Sequence, residues 1–336
     1  MAAFVEPAQR TLDLALYDLR LHSPVAEIVK DALVGASRRG VAVRLAYNLD
    51  EPGHRKGPPP PKTDPELVES LPLPTRAIPG VPDLMHHKYV VRDGAAVWSG
   101  STNWTNDSWT REENVIVTAE SPELARLFTD DFEQLWETLV VAKSGKVPTA
   151  PVRVGDIPVR PWFCPGRGEQ LAHRIAKAIG CAKRRVRIAS PVLTSGPILG
   201  TLAQKVANGS GGADVAGVVD ATQIREVFGQ WRENGNVAWK DAALRTVLSQ
   251  APFSGKPSTP YAPGAVHDYM HAKVTVCDDV VFVGSFNLSH SGEENAENVL
   301  EIGDRSLADE LAEFVDEVRA RYPEVELPPV GAQRPG

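Results

Sequence analysis

No run of about 18 or more apolar residues occurs in the chain, so no segment reads as a membrane-spanning helix. Cysteine is scarce. Cys164, Cys181 and Cys277 form an odd set without metal-type spacing, which leaves buried, reduced thiols as the reading. Basic residues are outnumbered, 36 Lys and Arg against 43 Asp and Glu, and the net charge of −7 weighs against a long polyanionic partner. The densest basic run, Lys183-Arg184-Arg185, reads as a solvated turn before a strand. The N-terminus lacks the basic-then-apolar pattern of a secretory leader, because Glu6 and Asp13 interrupt it, and a cytoplasmic location is expected. What is present, 42% hydrophobic and 24% charged residues in 336, is the composition of a globular chain. That length suffices for two ordinary domains or one large two-lobed unit.

The chain is written twice. Residues 85–104 read MHHKYVVRDGAAVWSGSTNW and residues 270–288 read MHAKVTVCDDVVFVGSFNL. Both give Met-His-x-Lys, four residues, Asp, a short apolar segment and Gly-Ser-x-Asn. His86 and His271 lie 185 positions apart (271 − 86), and Asn103 and Asn287 lie 184 apart (287 − 103). Downstream, Glu113-Asn114 recurs as Glu297-Asn298. Upstream, RRGVAVRLAYNLD and GGADVAGVVD end at Asp50 and Asp220. Each half therefore reads strand, helix, strand, long loop, two motif-bearing strands and a C-terminal helix, which implies mixed α/β layers. The expected division is residues 1–145, a proline-rich connector over 146–161 that breaks any helix or central strand, residues 162–325, and a flexible tail over 326–336. Two matched halves imply a pseudo-twofold arrangement, with the motifs meeting at the interface.

Alternation along a strand points His86 and Lys88 to one face and His87 to the other. The second copy makes the same choice, with His271, Lys273 and Ala272 between them. Lysine is a point-charge phosphate binder, and Asn103 and Asn287 add amide donors. Gly100 and Gly284 allow close backbone approach, and Ser101 and Ser285 supply hydroxyls toward a phosphate. Two such sets facing each other suit a pentavalent phosphorus transition state. One imidazole attacks, the other protonates the leaving alkoxide, and no metal or cofactor is required. Lysines beside both histidines also disfavour a cation. Glu113 and Glu297 are the candidates for holding histidine Nδ1, while Asp93 and Asp278 read as hydrogen-bonding residues at the hairpin turns.

These two HxKxxxxD segments, each followed by GSxN, resemble the phospholipase D superfamily of two-motif phosphodiesterases over roughly residues 4–145 and 162–322. The resemblance implies two phospholipase D-like α/β repeats, each a mixed sheet flanked by helices, with the active site at their interface. It also implies a covalent phosphohistidine intermediate. His86 would be the nucleophile and His271 the acid and then base, with Lys88, Lys273, Asn103 and Asn287 on the phosphate.

The substrate is less legible. Phospholipid hydrolysis, with or without transfer to an alcohol, is the leading reading, with peripheral membrane contact and a monomer carrying both motifs. A nuclease acting on DNA or RNA is the alternative, because GSFNLSHSGEENAENV resembles the bacterial nuclease branch. A silent phosphate-binding scaffold would not need both histidines. The insertions at 51–83 and 221–266 are expected to shape the entrance, with Pro58–Pro61 as a stiff loop. Trp98, Trp104 and Trp109 leave three roles open, in the core, against bases or at a lipid interface, of which the core is favoured.

Overall fold

The structure is a computed structural model that describes residues 1–22, 24–49, 63, 65–234, 237–259 and 267–329. Asp50, Pro58–Pro61, residues 260–266 and the tail beyond 329 lie outside the described residues.

The first half runs α1 (Ala2–Val5), β1 (Thr11–Leu16), β2 (Leu19–Arg20), α2 (Val25–Arg38), β3 (Ala42–Leu49), α3 (Pro65–Glu69) and β4 (Thr75–Pro79). It continues with β5 (Lys88–Arg92), β6 (Ala96–Gly100), β7 (Trp104–Thr105), α4 (Asn106–Thr110), β8 (Ile116–Glu120) and α5 (Pro122–Thr138). The second half runs β9 (Val152–Val154), β10 (Ile157–Phe163), α6 (Gly168–Cys181), β11 (Arg185–Ala189), α7 (Gly196–Ala207), β12 (Asp214–Asp220), α8 (Ala221–Asn234) and α9 (Ala238–Gln250). It ends with β13 (Phe253–Lys256), β14 (Val274–Cys277), β15 (Val280–Gly284), α10 (His290–Glu294), β16 (Asn298–Gly303) and α11 (Arg305–Ala320).

Strand order makes the duplication visible. The first sheet is β4-β3-β1-β5-β6-β8 and the second is β13-β12-β11-β14-β15-β16-β10-β9. Read position by position, six strands match, and β10 and β9 extend the second sheet alone. In each sheet three strands are parallel, joined through helical crossovers, and the motif-bearing hairpin runs antiparallel beside them. The central strands are buried along nearly their whole length because helices cover both faces.

The expected connector is only partly one. Residues 152–154 and 157–163 form β9 and β10, so the second half starts before Trp162. Pro161 is tolerated for a local reason. The Cys164 amide donates to Glu297 O, so by alternation the missing donor of Pro161 faces away from β16, beyond the end of β9. Residues 327 and 328, expected in a flexible tail, are packed instead: Leu327 lies on the apolar cluster of the second half, and Pro328 O accepts from Arg245 at 2.7 Å.

Helices α5 and α11 form the middle layer. Each starts at a side-chain cap: Ser121 Oγ accepts from Leu124 N, and Asp304 Oδ1 accepts from Leu307 N. Their apolar stripes, Leu124, Phe128, Phe132 and Leu135 on one and Ala308, Leu311, Val315 and Val318 on the other, enter one cluster with residues of both sheets. Truncating Phe128, which is fully buried there, would cost about 3–5 kcal/mol. Sharing this core fixes the two motifs against each other.

Candidate active site

The motif histidines sit just ahead of β5 and β14, where the halves exchange backbone pairing. Met85 bridges Ala296 and Met270 bridges Glu113, with the His86 amide donating to Ala296 O at 2.9 Å and that of His271 to Glu113 O at 3.1 Å. Each half thus supplies a partner to the other half's histidine. His86 Nδ1 lies 2.8 Å from Glu297 Oε1, and Ser285 Oγ donates to Glu297 Oε2 at 2.5 Å. His271 Nδ1 lies 3.1 Å from Asn114 Oδ1, which also accepts from Ser101 Oγ at 2.7 Å. Asn114 Nδ2 faces Ser108 O and Glu112 Oε2, so its oxygen must be the atom facing His271. Both imidazoles therefore carry their proton on Nδ1 and keep Nε2 free for chemistry.

Glu113 is not the partner expected. It binds the buried Lys256 and the Tyr322 hydroxyl, behind the site. The reason is a drift in register. Ser101 N pairs with Val115 O where Ser285 N pairs with Asn298 O, so Asn114, not Glu113, is the structural match of Glu297. The repeated Glu-Asn dipeptide is out of step by one residue. Ser101 and Ser285 also depart from expectation: both are buried and spend their hydroxyls on Asn114 and Glu297 rather than lining the cavity.

The remaining candidates divide cleanly. His86, His271, Asn103 and Asn287 line one cavity of about 400 Å³, and the side-chain oxygens of both asparagines are buried without a partner among the described residues. Lys88 and Lys273 are buried just behind it, each donating to the carbonyl of its own histidine at 2.6 Å. Gly100 and Gly284 are required by proximity, since a Cβ on either would come within 2.1 Å of the Val115 or Asn298 carbonyl oxygen. Asp93 and Asp278 stand at the hairpins with φ of 56° and 53°. Each accepts from three successive amides, of residues 9–11 and 183–185 respectively.

His87 points away from the cavity. Its Nε2 lies 3.0 Å from Asp131 Oδ2 and its Nδ1 3.3 Å from Asn298 Oδ1, all in the core. Trp98 and Trp104 are core residues packed edge to face, and Trp109 Nε1 donates to Asn103 O at 2.8 Å, holding that asparagine's backbone. The cavity walls add residues without a repeat to announce them: Tyr17, Asp18, Arg20, Asp107 and Glu112 from the first half, and Thr222, Gln223, Glu226, His267 and Tyr269 from the second.

Burial dominates the electrostatics. It holds both imidazoles well below the usual histidine range, and the charges of Lys88 and Lys273 push the same way. Burial also raises the Glu297 carboxyl to about 7, against the pull of Lys88 and the Ser285 hydroxyl. Lys88 falls to about 7 through burial, with Glu297 and Asp18 opposing. Lys273 is depressed by burial first and by Lys88 second. With nothing bound, the site holds two neutral imidazoles above two lysines that ionise reluctantly. An anion between them would relieve both strains.

Comparison with known proteins agrees with this architecture. The family model described as cardiolipin synthase, PLD-like domain, matches residues 1–136 and 175–319. The mitochondrial cardiolipin hydrolase of Danio rerio is 50% identical over 54 residues, 16% of this chain and 23% of that protein. The Xenopus laevis protein of the same name is 31% identical over 134 residues, 39% of this chain and 56% of that one. The aligned regions thus span from just under a quarter to just over half of these relatives' length. The phosphatidylserine synthase of Haemophilus influenzae Rd KW20 superposes with a TM-score of 0.66 over 95% of this chain and 82% of that chain, at 13% identity, a likeness of fold.

Proposed function

The chain belongs to the phospholipase D superfamily, within the family of cardiolipin synthase PLD-like domains, and from that premise we propose that it cleaves phospholipid phosphodiester bonds through a phosphohistidine intermediate. The observation that carries this reading is the reciprocal pair, His86 on Glu297 and His271 on Asn114, with both rings facing one cavity between Asn103 and Asn287.

The assignment of steps follows from the partners. His86 Nε2 attacks phosphorus, because the Glu297 carboxylate at Nδ1 stabilises the positive charge that develops on the ring as the N–P bond forms. The P–O bond to the leaving alcohol breaks, and His271, protonated when the phosphate enters, gives its proton to that oxygen. Water then loses a proton to His271 and attacks phosphorus, the N–P bond breaks, and both rings return to their starting state. Lys88 and Lys273 supply positive potential beneath the equatorial oxygens, and the Asn103 and Asn287 amides donate to them. An alcohol in place of water gives transfer rather than hydrolysis.

A lipid fits the walls better than a nucleic acid. Among the described lining residues Asp18, Asp107, Glu112 and Glu226 oppose the single guanidinium of Arg20, which is unfavourable for a long polyanion. No described helix is long and apolar enough to cross a membrane, so the bilayer would be met peripherally. The relatives' names add support for a lipid substrate. The test offers purified protein, in EDTA, vesicles of phosphatidylcholine or cardiolipin, single-stranded DNA and duplex DNA. Phosphatidic acid release is expected. DNA cleavage without lipid turnover would overturn the substrate, and turnover that survives His86→Ala or His271→Ala would overturn the mechanism.

A further inference from the structure

The two histidines are held unequally. Glu297 sets a carboxylate directly on His86 Nδ1, whereas its structural match Asn114 offers His271 only an amide oxygen. An amide stabilises an imidazolium far less than a carboxylate does. Two residues upstream of Asn114 lies the missing charge. Glu112 Oε2 is 3.6 Å from His271 Nδ1, accepts from Ser108 Oγ at 2.5 Å and from Asn114 Nδ2 at 3.3 Å, and its side chain is 6% exposed at the cavity wall.

The second half shows the reverse order. There the matching positions read Asn295-Ala296-Glu297 against Glu112-Glu113-Asn114, so the acid and the amide have traded places. Asn295 has no part in holding a histidine; its Oδ1 accepts from Leu84 N at 2.9 Å and pins the segment before His86. One half therefore contacts its histidine through a carboxylate, and the other contacts it through an amide with the carboxylate one step removed.

We propose that Glu112 is the positioning residue of His271: it orients Asn114 and supplies through space the charge that Glu297 supplies to His86 by contact. Its catalytic consequence rests on the phosphodiesterase reading, in which His271 must carry a proton to give to the leaving alkoxide, and a nearby carboxylate favours that charged ring. The charged groups facing His271 are Lys273, Lys88 and His86, all of which favour the neutral ring, and Glu112, which favours the charged one. Burial raises the Glu112 carboxyl above its usual range and Asp107 adds to that, against the Ser108 and Asn114 hydrogen bonds and the charge of Lys273, which favour its ionised form.

The test compares the wild type with Glu112→Gln and with the double variant Glu112→Gln, Asn114→Asp, which moves the carboxylate onto Nδ1 without changing side-chain size. Imidazole titration by NMR reads His271 directly, and hydrolysis of bis(4-nitrophenyl) phosphate across pH reads the consequence. In Glu112→Gln the His271 pKa should fall by about one unit while His86 moves less, and kcat should fall about tenfold with KM nearly constant. The double variant should restore both. A His271 titration identical in all three proteins would overturn the role of Glu112, as would a double variant no better than the single one. Absence of diester turnover in the wild type would count against the phosphodiesterase reading alone, because the titration is read without it.

Discussion

Replacing Glu297 by glutamine should make the protein more stable and less active, and the two effects have separate origins in the same hydrogen bonds. The Glu297 side chain is fully buried, and its carboxyl is raised from 4.5 to about 7 by that burial. A carboxyl raised on folding contributes stability that is fully present below its unfolded value and lost as pH rises through its folded one. The span from 4.5 to about 7, at 1.36 kcal/mol per unit, is worth about 3 kcal/mol at most, and the coupled Lys88 takes a share. Glutamine is neutral throughout and escapes this loss: its one oxygen accepts from His86 in place of Oε1, and its amide donates to Ser285 Oγ. Thermal melts should therefore nearly coincide at pH 4.5 and separate in favour of Glu297→Gln at pH 8. Catalysis moves the other way. A hydrogen bond to a charged group exceeds a neutral one by about 1–2 kcal/mol, and the buried ion pair on the phosphohistidine ring adds to that. A loss of about 2–3 kcal/mol lowers kcat roughly 30- to 160-fold, read on a chromogenic diester. A variant that melts below the wild type at pH 8, or that keeps wild-type turnover, would refute the reasoning.

Two further outcomes follow from the same geometry. His87→Ala should cost about 3 kcal/mol in urea denaturation, because it strips a partner from the buried Asp131, while the folded fraction keeps its kcat; His86→Ala should show the converse. Binding of inorganic phosphate at pH 8 should take up protons, since Lys88 near 7 is largely neutral there and an anion raises it. Calorimetry in buffers of different ionisation enthalpy would show the uptake at pH 8, and enthalpies independent of buffer would refute it.

The sequence carries the fold through its duplication rather than through any single segment. Six strands in matching order, and the placement of His86 away from His87, are legible because alternation and a second copy constrain each other. Proline content misleads at residues 152–163, where the strand lies close enough to the sheet edge for Pro161 to lack a donor harmlessly. Glu113 misleads for a different reason. The offset between halves is 185 at the histidines (271 − 86), 184 at the motif serines (285 − 101) and 183 at the partners (297 − 114). Each hairpin or loop shortened by one residue shifts the frame, so a recurring dipeptide 184 apart matches in letters but not in the ladder. The walls are harder still. Asp18 and His267 sit outside the strands and helices, Arg20 on the two-residue β2 and Glu226 on the second turn of α8, and no repeat between the halves points to any of them.

Those unmatched walls resolve what a duplicated floor would leave degenerate. An in-line displacement needs one imidazole on the attacking side of phosphorus and one on the leaving side. A pair of identical halves would serve a diester equally well in either orientation, with either histidine attacking. The matching positions at the rim are Tyr17 and Pro191, with Leu19 and Leu193 anchoring the two edges, so Arg20 corresponds to Thr194 and the rim has two unlike sides. Beneath it, Glu297 contacts His86 while Glu112 stands off from His271. On the proposed reading rim and floor would break the symmetry together, the rim telling apart the two ester arms of a diester and the exchanged acid and amide telling apart the two rings.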